Sequence, residues 1–159
     1  MTELNILYIS IEGNTRSFLN RMTSYSEQQH TFNAANPVIK PREITEQTMP
    51  KHEDQPFVVF VPTYLDGGNG FDSGFTETLT TPLGEYIAQN DNAALCMGIV
   101  GSGNKNFNEQ YCLTAREYAA KFDAPFLTDY ELRGTDRDIQ RVYEVLKKRL
   151  AEYQAAQAK

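Results

Sequence analysis

Three segments of this chain gather hydrogen-bond donors, glycines and aromatic rings, while nucleophiles and paired acids are scarce. Ser10-Ile11-Glu12-Gly13-Asn14-Thr15 follows an apolar run and leads into a helical pattern. Ser10, Asn14 and Thr15 offer side-chain donors, and Gly13 allows the backbone to turn. A helix start adds unpaired amides and the positive end of the helix dipole, so a phosphate group would sit well there. No lysine follows the glycine as a P-loop would require. The plainer alternative is a strand-to-helix turn capped by Asn14 or Thr15.

The second segment is Pro62-Thr63-Tyr64-Leu65-Asp66-Gly67-Gly68-Asn69-Gly70. Its glycines permit positive φ and close approach to a flat ligand, and Tyr64 supplies an aromatic face. The alternative is a surface loop with an incidental tyrosine. The third, Gly101-Ser102-Gly103-Asn104-Lys105-Asn106-Phe107-Asn108, opens Gly-x-Gly but carries Asn106 where a dinucleotide fingerprint has its third glycine. It also comes late in the chain, which argues against NAD. Its amides, asparagines and Phe107 could hold a polar heteroaromatic ring by hydrogen bonds and stacking. The alternative is a polar loop leading into the next helix.

The remaining reactive side chains lack motif spacing. His30 and His52 stand apart and are expected at the surface. Cys96 lies inside an apolar run and is expected in the core, and Cys112 is expected to pack beside a helix. Lys147-Lys148-Arg149 is expected as a solvated face complementing the dipole at the end of the last helix.

Positioning these loops requires strands that end where they begin. Leu4 to Ile9, Phe57 to Val61, Leu95 to Val100 and Phe126 to Leu132 are short apolar runs of the kind buried on both faces of a parallel sheet. A further strand is expected near Thr31 to Ala35, followed by a loop, within the polar stretch from Ser26 to Asp54. Helical spacing joins Phe18, Leu19, Met22 and Tyr25, then Leu83, Tyr86 and Ile87 after Thr81-Pro82, then Tyr111, Ala115, Tyr118, Ala119 and Phe122. A last helix opens at Thr135 with Asp138 three residues on, close to a capping box, and its stripe ends at Tyr153. Residues 154–159 are expected to fray. Alternating strands and helices predict an α/β doubly wound five-stranded parallel sheet in the order 2-1-3-4-5, with helices on both faces. Ligands of such sheets bind beyond the carboxyl ends of the strands, where all three segments fall.

Composition fits this reading and excludes others. At 159 residues the chain is close to the roughly 150 of one domain, so residues 1–159 are read as a single domain. The net charge of −6 disfavours a nucleic-acid binder. No run approaches a membrane span, no signal peptide precedes the first strand, and two cysteines are too few for a disulfide framework. A cytoplasmic location is expected.

Taken together, these segments resemble a known family. Ser10 to Thr15 is similar to the phosphate loop of flavodoxins. Pro62-Thr63-Tyr64 with its glycines, Gly101-Ser102-Gly103-Asn104-Lys105-Asn106-Phe107, and Tyr130-Glu131-Leu132-Arg133-Gly134-Thr135 resemble the flavodoxin-like ribonucleotide reductase stimulatory proteins, the NrdI family. The resemblance spans nearly the whole chain. It departs at Glu12, often a hydroxyl or lysine in relatives, at Tyr130, usually phenylalanine, and in the polar 26–54 stretch.

The resemblance implies a flavodoxin-like fold, bound FMN and no metal. The partner it implies is the small radical-bearing subunit of a class Ib-type ribonucleotide reductase, whose radical is a dimanganese-tyrosyl one or a metal-free modified tyrosine. Reduced flavin would meet O2, and the resulting oxidant would pass to that subunit, with an unidentified reductant recharging the flavin. Ser10, Ile11, Glu12, Gly13, Asn14 and Thr15 would surround the FMN phosphate. Thr63, Tyr64, Leu65, Gly67, Gly68, Asn69 and Gly70 would line one side of the ring, and Ser102, Gly103, Asn104, Asn106 and Phe107 the other. Tyr111, Glu131 and Leu132 complete the set. No side chain need act as acid, base or nucleophile, since the flavin carries the chemistry. A general electron-carrying flavodoxin and a binding module without cofactor remain as alternatives; the absence of tryptophan counts against the carrier.

Overall fold

The computed structural model describes residues 3–10, 13–63, 81–103 and 112–158. Five strands, β1 (Glu3–Tyr8), β2 (Val38–Glu43), β3 (Phe57–Pro62), β4 (Cys96–Gly103) and β5 (Phe126–Glu131), form one parallel sheet in the order β2-β1-β3-β4-β5. Helices α1 (Asn14–Phe32), α2 (Thr81–Ala88), α3 (Leu113–Lys121) and α4 (Asp136–Gln157) cover it. The expected architecture and strand order are observed.

The two-residue strand period divides the apolar side chains between two cores. Leu4, Ile6, Val58 and Phe60 face Phe18, Leu19 and Met22 of α1 and Ile139, Val142 and Leu146 of α4. Leu7, Phe57, Val59 and Val61 face Leu83 and Ile87 of α2 and Ala115 and Tyr118 of α3. β3 lies in the middle of the sheet and every one of its residues is buried.

The second strand corrects the sequence reading. Thr31 and Phe32 still belong to α1, and the strand begins at Val38, seven residues beyond Thr31. Polar bonds inside the supposedly unstructured stretch set this boundary. The Ser26 hydroxyl donates to the Thr23 carbonyl at 2.7 Å and accepts the Ile39 amide at 3.2 Å, docking the strand onto the helix. The Asn33 side chain accepts the Ala35 amide at 3.0 Å and turns the chain. Pro41 hides the strand in the sequence. β2 pairs only with β1, and an edge strand tolerates proline where its missing N–H would face outward.

A saturated polar cluster ties down the rest of that stretch. Glu53, 7% exposed, accepts from Arg42 and from the Tyr86 hydroxyl. Fully buried Asn92 accepts the Glu53 amide at 2.7 Å and donates to the carbonyls of Lys51 and Tyr86 at 2.9 and 3.0 Å. Burial, followed by the neighbouring Glu53 carboxylate, pushes the Tyr86 phenol up to about 12. The histidines hold backbone instead of metal: the Nδ1 atoms of His30 and His52 lie 2.9 and 2.6 Å from the Asn36 and Asn90 carbonyls.

α4 also runs past its expected end. It continues to Gln157, because Gln154, Ala155, Ala156 and Gln157 are good helix formers. The Lys147-Lys148-Arg149 run therefore lies well inside the helix and does not complement its terminus. Arg149 is a tether, its Nε donating to the Met97 carbonyl at 2.7 Å and its guanidinium 5.9 Å from the Tyr153 ring centre. Cys96 is only partly buried, yet burial pushes its thiol up to about 12. No described helix is long and apolar enough to cross a membrane.

The start of α4 matches the sequence reading in full. Thr135 and Asp138 form the reciprocal capping box, at 3.1 and 2.8 Å. Burial pushes the Asp138 carboxyl up, but hydrogen bonds from Thr135 and the Arg141 guanidinium outweigh it and hold the group below its ordinary range. Its stabilising contribution is therefore complete above about pH 4, the unfolded value, and is lost as pH falls through the lower folded value. Urea titrations of the wild type and Asp138→Asn are expected to show a stability gap at pH 7 that closes as pH falls below the ordinary carboxylate range. A gap independent of pH would remove the carboxylate from the cap.

Candidate functional site

β1 is the switch point of the sheet, with β2 on one side and β3 on the other. α1, which follows β1, and α2, which follows β3, cover opposite faces of the sheet, the arrangement that opens a cleft at the carboxyl edge of such sheets. Ser10 and Gly13 follow β1, Thr63 follows β3, Ser102 and Gly103 close β4, Glu131 ends β5 and Leu132 follows it. These residues, with Asn14 and Thr15 at the start of α1, share one edge. Ile11, Glu12, Tyr64, Leu65, Gly67, Gly68, Asn69, Gly70, Asn104, Asn106, Phe107 and Tyr111 lie outside the described residues.

Backbone bonds continue the ladder beyond the strands and order the edge. The Ile44 amide donates to the Tyr8 carbonyl at 2.8 Å, Thr63 to Ser102 at 2.9 Å, and Leu132 to Gly103 at 2.9 Å. The Thr63 hydroxyl accepts the Thr114 amide at 3.1 Å, so β3 itself caps the first turn of α3. The Thr114 hydroxyl is fully buried at the same end and has no hydrogen-bond partner among the described residues. β4 and α3 approach closely because position 101 is glycine. A Cβ there would come within 2.7 Å of the Ala115 methyl and 3.1 Å of the Cys112 sulfur.

The start of α1 is built to receive an acceptor. Gly13 holds the N-cap position at φ 89° and, as glycine, offers no side chain of its own to the first turn. The Ser17 amide closes the first turn on the Gly13 carbonyl at 2.9 Å, and the Arg16 amide donates to the Ser10 hydroxyl at 3.3 Å. Among the described residues no partner is shown for the Asn14 and Thr15 amides, the pair that a ligand at this helix end would meet. Neither Asn14 nor Thr15 is the cap. Thr15 is 2% exposed and belongs to the buried face of the helix.

The nearby cation is already neutralised. Arg16 makes a bidentate pair with Glu43, at 2.9 Å to each carboxylate oxygen, and the Tyr8 hydroxyl donates to the same carboxylate at 3.5 Å. The hydrogen bond to Glu43 raises the Arg16 pKa further, while burial and then Glu43 raise that of Tyr8. A phosphate at this edge would be held by neutral amides and hydroxyls. The donor set suits a terminal phosphate, and at the same end of the sheet the buried Thr114 hydroxyl is a polar atom without a partner among the described residues. The described residues hold no group of three or more His, Cys, Asp or Glu side chains able to bind a metal.

Several contributors are invisible in the sequence. Arg16 meets Glu43 across 27 residues, and Thr114 meets Thr63 across 51. Leu132 is a second surprise: a half-exposed leucine at φ 55°, a left-handed conformation uncommon for a bulky side chain.

Comparison with known proteins agrees with the geometry. Residues 6–144 match the family model described as "NrdI Flavodoxin like". An NrdI-like protein of Streptococcus pyogenes serotype M18 is 51% identical over 150 residues, covering 94% of this chain and 96% of that one. Protein NrdI of Beutenbergia cavernae is 36% identical over 126 residues, covering 78% and 86%. In fold, the chain is similar to a short-chain flavodoxin associated with a bacterial microcompartment, with a TM-score of 0.64, 19% identity, and 96% and 99% coverage. A Streptococcus pneumoniae flavodoxin gives a TM-score of 0.61 at 18% identity, covering 95% and 99%.

The left-handed N-cap provides a direct check of the edge. A Cβ at position 13 would meet nothing within 4 Å, so Gly13→Ala isolates the backbone conformation. Denaturant unfolding is expected to show a loss of about 1 kcal/mol from the left-handed penalty. An unchanged midpoint would mean that the turn is not fixed in that conformation.

Proposed function

The chain belongs to the NrdI flavodoxin-like family, and from that premise we propose that it is an FMN flavoprotein activating the small, radical-bearing subunit of a class Ib-type ribonucleotide reductase in the cytoplasm. The observation that carries this reading is the start of α1 at the switch point of the sheet, where the N-cap is a left-handed glycine and Arg16 is paired with Glu43. It supports a ligand with one terminal phosphate. FAD would place a second phosphate and an adenosine where no dinucleotide fingerprint exists.

In this reading, the Asn14 and Thr15 amides and the Ser10 hydroxyl hold the phosphate. Thr63, Ser102 and Gly103 flank the ring from the ends of the central strands. When bound, FMN supplies the redox chemistry, passing electrons to O2 to give superoxide or a related reduced oxygen species. The protein binds, orients and sets the polarity around it. Arg16 is held away from the phosphate by Glu43, so amides rather than a free cation neutralise the dianion. Among the described residues no exposed thiol flanks the cleft, so an oxidant formed there would not be consumed by one. Cys112 is fully buried and Cys96 lies at the opposite end of β4.

The test mixes the chemically reduced protein with O2 and the small reductase subunit from the same organism. A saturable complex and a tyrosyl radical, seen by electron paramagnetic resonance and dependent on both flavin and O2, are expected. No complex and no radical under metal-loaded or metal-free conditions, with efficient reduction of other acceptors, would replace this reading with a general electron carrier.

A further inference from the structure

The turn between β5 and α4 is held in an unfavourable shape by a residue on another helix. Two of its residues have positive φ, Leu132 at 55° and Gly134 at 71°. The Gly134 amide donates to the Glu131 carbonyl at 2.9 Å, which tightens the turn. That geometry turns the Arg133 and Gly134 carbonyls toward α1, where Arg21 meets both. Its Nη1 donates to the Gly134 carbonyl at 3.1 Å, and its Nη2 donates to that of Arg133. Its Nε donates to the Ser17 carbonyl at 3.3 Å, fixing the side chain along its own helix.

Aromatic packing beneath the turn leaves it little room to move. Phe18, three residues before Arg21, stacks on Tyr130 with ring centres 3.8 Å apart and planes 6° from parallel. Gly134 lies directly on this stack, since a Cβ there would fall 2.6 Å from the Phe18 ring. On its other side the turn reaches the cleft, where the Leu132 amide donates to Gly103 at 2.9 Å. One guanidinium therefore links the helix that begins at the phosphate-binding turn with the segment that borders the ring.

We infer that Arg21 is a positioning residue, holding the Glu131–Gly134 turn so that Glu131, Leu132 and Gly103 present a fixed border to the bound ring. The inference rests on the flavin reading above and adds a residue that touches no ligand itself. Leu132 has no intrinsic preference for its conformation, so clamping the carbonyls beyond it helps the turn to keep that shape. Releasing the clamp lets Leu132 relax, breaks its bond to Gly103 and loosens the border, leaving the start of α1 intact.

The test compares the wild type with Arg21→Met and Arg21→Lys, in the full chain. Amide hydrogen exchange is followed by NMR without ligand, then FMN and riboflavin are titrated with visible circular dichroism as the readout. In Arg21→Met the Leu132 and Gly134 amides are expected to exchange about tenfold faster or more, while Leu19 is unchanged. Binding of FMN and of riboflavin is expected to weaken by a similar factor, about fivefold, because the loss is at the ring and not at the phosphate. The dichroism of the bound flavin changes, and Arg21→Lys recovers part of both effects. Unchanged exchange at Leu132 and Gly134 would overturn the inference. So would faster exchange with wild-type affinity and dichroism, which would leave Arg21 with a purely structural role. A wild-type protein that takes up no flavin fails the functional reading first, on a measurement without any variant, and removes this inference with it.

Discussion

The structure depends on one constraint above all, the pairing of β1 with strands on both sides. A right-handed crossover from β1 to β2 places α1 on one face of the sheet, and the return across β1 to β3 forces the later helices α2 and α3 onto the other. The backbone of each central strand satisfies its hydrogen bonds within the sheet and its side chains divide between two cores. Few polar side chains are accommodated there, Asn5 in β1 and Ser102 near the end of β4 being the exceptions. Donors accumulate at the carboxyl edge, where the chain leaves the sheet and the amides of α1 and α3 point outward. The cleft is a consequence of that winding before any side chain is chosen for it.

Electrostatics at the edge follow a consistent pattern. The chain carries a net charge of −6, and at the start of α1 the Arg16 guanidinium is paired with Glu43. Backbone dipoles then contribute a field at the start of α1 that cannot swing away or titrate between pH 5 and 8. Rigidity is supplied from elsewhere. Arg21 and the Phe18–Tyr130 stack fix one flank, the Thr63–Thr114 bond fixes the other, and the Glu53 cluster anchors the long connection between β2 and β3.

Most of the fold was legible in the sequence because it rests on local pattern. β1, β3, β4 and β5 appear as short apolar runs, and Thr135 with Asp138 announces α4. β2 was not legible, since Pro41 and alternating charges mark an edge strand much as they mark a loop, and only its pairing with β1 distinguishes the two. The role of Arg149 was hidden for the related reason that α4 is longer than its apolar stripe. At the site, Gly13 and the ends of β3 and β4 could be found from glycines and hydroxyls near strand ends. The pairs Arg16 with Glu43 and Arg21 with the Arg133 and Gly134 carbonyls could not, because they join residues 27 to 113 positions apart.

The central claim is that a terminal phosphate is gripped at the start of α1. Titration of ligand-free protein with FMN, riboflavin and FAD, followed by quenching of flavin fluorescence, tests it without any partner or variant. The account predicts that FMN binds tightest and riboflavin at least about a hundredfold more weakly, as expected for the loss of two charge-assisted hydrogen bonds. Equal affinity for FMN and riboflavin, or a preference for FAD, would contradict it.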